Sequence, residues 1–274
     1  MIIFLNTFLL SEDLSAYPLK NPRIGWQTYL RDLPLTAASA SSVAPGSAAD
    51  APFRPDTWEF WQPSALPASW LVDLGAARQL DYVGIAGHTF GSSGCAALVE
   101  TSADGVTWRT FSAGAVSPAD DAPLLFLDDV LTHRYVRVSL TGGATLPIMA
   151  VVYVGLILKM PRGIYGGHAP VPLNRETVLT RSLSNGGQFL GQGFRRHGVK
   201  GTANFRHLEA AWYRANFDPF VKSARQFPFF FGWRPAIYPT EIAYAWSPDD
   251  MHPSNMGVRE FMQVALSMQG IGHE

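Results

Sequence analysis

The chain has 274 residues, of which 47% are hydrophobic and only 16% charged, with 25 Gly, 20 Pro and a formal net charge of −1. Soluble domains usually carry about 25% charged residues, so this chain has no field to draw in nucleic acid or an anionic membrane, and its Gly and Pro content describes a loop-rich β protein whose surface neighbours cover. The length suits two ordinary domains, and a single cysteine, Cys95, excludes an intrachain disulfide or a multi-cysteine zinc site.

The first ten residues, Met1 to Leu10, are almost wholly apolar. They lack the basic start and small-residue cleavage site of a secretion signal and are too short to span a bilayer, so they read as a buried strand with no membrane insertion. Residues 1–20 form an N-terminal strand unit that pairs, in one reading, with the C-terminal half. Residues 37–50 are rich in Ala and Ser without periodicity and form an exposed loop.

From Trp70 onward period 2 dominates. Leu80, Tyr82 and Gly84 alternate with Asp81, Val83 and Ile85, and Tyr135, Arg137 and Ser139 alternate with Val136, Val138 and Leu140. These are strands with one face inward. Asp104-Gly105 marks a tight turn between two runs that pair as a hairpin, with Trp108 on the return. Cys95, in a loop entering a strand, reads as a small buried thiol. Residues 148–158 are a fully apolar closing strand, and Lys159 to Pro170 breaks all periodicity as a linker.

The order Trp70-x-Val-Asp-Leu-Gly75, then Ser102-x-Asp-Gly-x-x-Trp108, then Arg134-Tyr-Val-Arg-Val138 resembles the discoidin, or coagulation-factor type C, family of galactose-binding-like jelly rolls. The resemblance implies a galactose-binding-like β-sandwich over residues 21–158. Members of that family bind sugars, lipid headgroups or proteins through loops at one end of the sandwich, and fold alone does not choose among these. Pro55 to Trp61 stands where such domains carry a Thr-x-Trp segment. Trp58, Trp61, His88 and Phe90 therefore form the candidate glycan platform, an aromatic surface with a polar neighbour. The other reading is that these rings plug the open end of the sandwich.

The second half follows a different pattern. Arg175 to Ser184 and Gln188 to Arg196 flank Asn185-Gly186-Gly187 as a long hairpin with a left-handed turn. Asn204 to Phe217 spaces Phe205, Leu208, Ala211, Trp212 and Ala215 by three and four, predicting one helix over 204–217 capped by Asn204, with a shorter helix begun by Asp218-Pro219. Phe227 to Trp233, Glu241 to Trp246 and Met256 to Met268 read as three strands. The expected fold is mainly β: a jelly-roll sandwich and, over 159–274, a second β-rich domain with one flanking α-helix.

This half resembles distal-tail and tail-tube structural proteins of long-tailed bacteriophages, through the hairpin, the Phe227-Pro-Phe-Phe-Phe231 strand, the Gly232-Trp-Arg-Pro-Ala-Ile-Tyr-Pro239 stretch, Ala243-Tyr-Ala-Trp246 and the closing Met-rich strand. That implies a virion ring, assembled in the host cytoplasm, of three or six copies joined through the hairpin residues Asn185, Gly186, Gln188, Arg195 and Arg196. Its partners would be other tail-tube and tail-tip proteins, with DNA passing only through the lumen. The basic end, Arg195-Arg196-His197 with Lys200, pairs with acidic neighbours, faces DNA or is a solvated tip. Such proteins often carry a carbohydrate-binding module, and the alternative function is adhesion to a host surface glycan.

Catalytic readings find little. The pairs Asp120-Asp121, Asp128-Asp129 and Asp249-Asp250 are adjacent and point apart in a strand, whereas glycoside hydrolysis needs two carboxylates facing across a cleft. His168, His197, His207 and His252 show no metal-ligand spacing, and His207 and Glu209 on a helix would not face each other. No catalytic residue, metal ligand or cofactor is assigned, and calcium stays unassigned.

Overall fold

The computed structural model describes residues 1–3, 17–112, 114–120, 122–176, 178–196, 198–257 and 260–271. The protein is mainly β, 46% strand against 12% helix. In chain order the strands are β1 Ile2–Ile3, β2 Arg23–Gly25, β3 Ala38–Ala40, β4 Ala68–His88, β5 Cys95–Ser102, β6 Arg109–Thr110, β7 Leu124–Gly142, β8 Met149–Gly155 and β9 Leu158–Lys159. The second half adds β10 Val178–Leu183, β11 Phe189–Arg196, β12 Val199–Glu209, β13 Phe229–Gly232, β14 Ile242–Trp246, β15 Ser254–Asn255 and β16 Phe261–Ile271.

The sandwich is built by two long bent strands that belong to both of its layers. The early part of β4 pairs β3 and the late part of β7, which continues to β5 and β6. Past a register shift between Asp73 and Arg78, the late part of β4 pairs β8 and the early part of β7. The two layers face each other over a core that includes Trp61, Trp70, Val83, Val138 and Val152. Arg134 clasps the bend, its Nε and Nη2 both donating to the Asp73 carboxylate at 2.7 Å. At the predicted Asp104-Gly105 turn the Asp104 carboxylate accepts from Val106 and Thr107 N–H, each at 2.8 Å, which holds its pKa down at about 2.

A second antiparallel sheet runs β12, β16, β14, β13, β2, β9. Here β2 precedes the sandwich in sequence and β9 follows it, yet they are neighbours, with Arg23 opposite Lys159 and Ile24 opposite Leu158. The chain thus leaves this sheet after Gly25, builds the sandwich, and re-enters at Leu158. Arg23–Gly25, expected inside a sandwich starting at residue 21, belongs to the second sheet. The N-terminal strand behaves in the opposite sense: Ile2–Ile3 pairs in parallel with Leu125 and Phe126 of the sandwich, and residues 4–10 lie outside the described residues.

The second sheet explains why β4 does not keep one solvated face. Tyr82, Ala86, Leu125, Tyr153, Phe230 and Tyr244 form an apolar cluster between the two structures. Tyr153 lies edge-on to Phe230 at 5.5 Å and to Tyr244 at 6.1 Å. The sheets approach so closely that a Cβ on Gly84 would stand 2.6 Å from the Phe230 ring, and one on Gly25 2.7 Å from the Tyr82 ring. Alternation in β4 therefore separates two cores, not core from water.

The helix expected over 204–217 is a correction. Val199–Glu209 is a strand paired with β16, and Asn204, opposite Ala265, caps nothing. Helical backbone begins at Ala210–Trp212, continues as a π turn at Tyr213–Phe217 and ends as Asp218–Ala224. Its buried side chains are Ala210, Tyr213, Phe217, Phe220, Val221 and Ala224, while Ala211 and Ala215 are exposed. A bulge between Phe205 and Leu208 inserts a residue into the strand, so its apolar spacing mimics a helix period. The closing strand starts at Phe261, and Val258 is outside the described residues.

Candidate functional site

The segment from Asp50 to Trp61 is a loop fastened at both ends. At its start Phe53 packs edge-on against Trp70 at 6.2 Å, and the Trp70 indole N–H donates to Ala49 O at 2.7 Å. At its end Trp61 exchanges two backbone hydrogen bonds of 2.9 Å with Met149, and its indole N–H donates to Ser42 O at 3.0 Å. Between these anchors the Asp56 carboxylate accepts from the backbone N–H of Trp58 at 3.3 Å and of Glu59 at 3.1 Å, fixing the turn that presents Trp58. The Tyr244 hydroxyl, from the second sheet, donates to Pro55 O at 2.6 Å.

This loop places Trp58 at the lip of an open cleft of about 600 Å³, with Ser47, Arg54, Thr57, Glu59 and Phe60 in its lining. The Trp58 side chain is 86% exposed. Arg54 pairs with Asp50 at 3.5 Å and also with Glu59, so a guanidinium and a carboxylate, both substantially exposed, stand beside the indole. An exposed flat ring flanked by a fork of donors and a bidentate acceptor matches what a sugar ring with vicinal hydroxyls requires.

The rest of the predicted platform is interior. Trp61, His88 and Phe90 are each 0% exposed. His88 and Phe90 stack at 4.3 Å with an interplanar angle of 15°. The Phe90 N–H donates to His88 Nδ1 at 3.4 Å, which leaves the ring proton on Nε2 to donate to Ala122 O at 2.9 Å. Burial drives the His88 pKa down to about 4, so the ring is neutral. These rings plug the sandwich end, and Trp58 alone of the predicted set reaches solvent. Arg54, Glu59 and Phe60 sit within five residues of Trp58 and were readable as its flanks; Tyr244 carried no signal, because nothing in sequence relates it to Pro55.

In the hairpin, β10 and β11 pair only with each other among the described residues, closed by Ser184 N–H to Gln188 O at 2.9 Å and by Gly187 at φ +80°. Asn185, Gly186 and Gln188 are exposed at its tip. Arg195 and Arg196 lie on β11, where their side chains, like His197, are outside the described residues. Cys95 is fully buried, its Sγ 3.5 Å from Gly142 O. Asp128 is buried and serves structure, accepting from Ser112 N–H at 3.2 Å and pairing with Arg109 at 3.3 Å. Among the described residues no three His, Cys, Asp or Glu side chains gather as a metal site.

Fold and cleft together define a class: a mainly β protein in which a β-sandwich is spliced into a second sheet and offers an aromatic-lipped cleft. No family model matches the chain, and no curated protein matches it significantly. Among solved structures it is similar to chitosan-binding module 1 of a chitosanase/glucanase from Paenibacillus sp. IK-5, at 22% identity and TM-score 0.38, covering 43% of this chain and 92% of that one. It is also similar to the module CpGH89CBM32-5 from Clostridium perfringens, solved with GalNAc-β-1,3-galactose, at 18% identity and TM-score 0.39, covering 45% and 98%. A Ruminococcus gnavus GH29 fucosidase matches at 20% identity and TM-score 0.40, over 48% of this chain and 27% of the enzyme.

Proposed function

We propose that the chain is a glycan-binding protein whose recognition site is the Trp58 cleft. The observation that carries this reading is an indole 86% exposed on a loop anchored by buried Trp61 and by Tyr244. Leaving so large an apolar ring in water is unfavourable unless a ligand covers it, and the pre-fixed loop lowers the ordering cost of that contact. In the complex the C–H face of a pyranose lies on Trp58 while Arg54 donates to, and Glu59 accepts from, adjacent hydroxyls. The test is retention on immobilised host-surface glycans. Trp58→Ala removes retention if the reading holds; a variant retained like the parent on every glycan that the parent binds sinks it.

A second reading, assembly into a homo-oligomeric ring, is favoured by the hairpin. Leu183, Phe189 and Leu190 are 60%, 65% and 66% exposed on a ribbon that packs on no third strand among the described residues. Two-stranded ribbons are marginal alone in water, and a neighbouring copy would cover these side chains. The resemblance to phage tail proteins supplies the setting: three or six copies around a tail lumen, with the sandwich outward. Deleting residues 188–196 then blocks assembly and leaves a folded monomer; rings formed by the deletion variant would refute it.

A further inference from the structure

The stretch Gly232 to Pro239 has no part in the Trp58 cleft, and its first residues help line a second cavity. Arg234 O accepts from Ile237 N–H at 3.0 Å and Tyr238 N–H at 2.9 Å, closing a turn. That turn stacks Tyr238 on Trp233 at 5.1 Å and 12°. Ala236 N–H donates to Leu19 O at 3.3 Å, which holds the Leu19-Lys20 backbone beside the turn. Asn21 is buried and donates from Nδ2 to Met160 O at 3.1 Å, so the opposite wall is also fixed. Between these walls lies a cavity of about 440 Å³ lined by Lys20, Asn21, Ile164, His168, Trp233 and Arg234.

The charges of this cavity are unbalanced. Lys20 and Arg234 have no carboxylate partner among the described residues, and Arg234 lies 5.5 Å from the Trp233 ring centre. His168 sets its ring edge-on to Trp233 at 4.6 Å, and its Nε2 is shielded from water without a hydrogen-bond partner. Glu241, whose charge acts on His168, is already engaged by the Trp233 indole N–H. Burial and the Arg234 charge both lower the His168 pKa, and Glu241 opposes them. Two cations without a carboxylate partner among the described residues line one cavity, and such a pair favours an acceptor with negative charge there. The mouth is open, since a Cβ built on Gly163 would meet nothing within 4 Å.

We propose that this cavity binds the oxyanion of a ligand, a carboxylate, sulfate or phosphate held by Lys20 and Arg234 beside the His168 ring, as a site separate from the Trp58 cleft. Lys20 and Arg234 supply charge-assisted donors, and the His168 ring beside them senses the charge of the bound anion. The proposal does not depend on glycan binding at Trp58.

The experiment is calorimetric titration of the full chain with sodium glucuronate, with inorganic sulfate, with inorganic phosphate and with neutral methyl glucoside, followed by NMR of the His168 imidazole. At least one anion binds one-to-one while methyl glucoside does not, and the arms separate a carboxylate from a sulfate or phosphate source. Lys20→Ala and Arg234→Ala each weaken binding about tenfold, the size of one lost charge-assisted hydrogen bond. Trp58→Ala leaves anion affinity unchanged, and the bound anion raises the His168 pKa. The proposal is overturned if no anion binds at millimolar concentration, if methyl glucoside binds as well as glucuronate, or if the Lys20→Ala/Arg234→Ala double variant keeps full affinity. Because Lys20 is exposed, its variant tests the site without threatening the fold.

Discussion

The hydroxyl of Tyr244 donates to the carbonyl of Pro55 at 2.6 Å, joining strand β14 of the second sheet to the loop that carries Trp58, across 189 residues of sequence. The second sheet therefore fixes the sandwich loop that carries Trp58. Tyr244→Phe keeps the ring and removes this bond, so it should lower stability by about 1 kcal/mol. Glycan affinity should fall severalfold, because the loop must then be ordered on binding. Urea unfolding and glycan titration measure the two effects; an unchanged affinity would mean that the anchors at Phe53 and Trp61 suffice.

The two tryptophans of the Thr57-Trp-Glu-Phe-Trp61 run should separate cleanly. Trp61→Ala empties a core site and is expected to cost about 3–5 kcal/mol. Trp58→Ala, at an exposed position, should stay within about 0.5 kcal/mol of the parent while losing glycan binding. Thermal melts alongside retention assays decide this. Equal destabilisation by both changes would show that Trp58 packs in solution.

Buried His88 and Asp81 give opposite pH slopes. The folded His88 pKa is about 4, so between the unfolded value of about 6.5 and that point only the unfolded chain holds the proton, and stability falls as pH falls. Burial raises Asp81 to about 6, against the attraction of Lys159 at 3.5 Å, so between there and about pH 4 the folded chain holds the extra proton and stability rises as pH falls. The two contributions offset each other over the shared window. Asp81→Asn should expose the His88 slope, a loss of roughly 3 kcal/mol from neutral pH to pH 4. Urea midpoints at several pH values test it, and identical slopes in parent and variant would contradict it.

Gly84→Ala should report on the contact between the two sheets. The added Cβ would meet the Phe230 ring at 2.6 Å, and Phe230 is boxed in by Tyr153 and Tyr244, at 5.5 and 4.9 Å. Overpacking of this kind costs typically about 1–3 kcal/mol. Chemical denaturation gives the loss, and a neutral result would mean that the sheets separate easily.

The hairpin should behave independently of the folded body. Phe189→Ser with Leu190→Ser leaves the melting temperature unchanged, because neither side chain is buried, yet it weakens self-association in sedimentation runs across concentration. A large loss of monomer stability would place these residues against the chain's own core.

The sequence alone determined the strands of the sandwich, its Asp104-Gly105 turn and the hairpin at Asn185-Gly186-Gly187, because a two-residue period and glycines at tight turns are local properties. It also put Trp58 in a candidate site, though it could not separate that residue from Trp61, His88 and Phe90. Aromatic rings at strand ends look alike in sequence, and only packing decides which one meets water. The helix expected over 204–217 begins six residues later, at Ala210, for a similar reason: a bulge after Phe205 shifts a strand's alternation by one residue, which reproduces helical spacing. The pairing of Arg23–Gly25 with Leu158–Lys159, the second apolar face of β4 and the Tyr244 tether were decided by tertiary structure alone. Each joins segments distant in the chain, and no periodicity within a segment records which partner its other face will find.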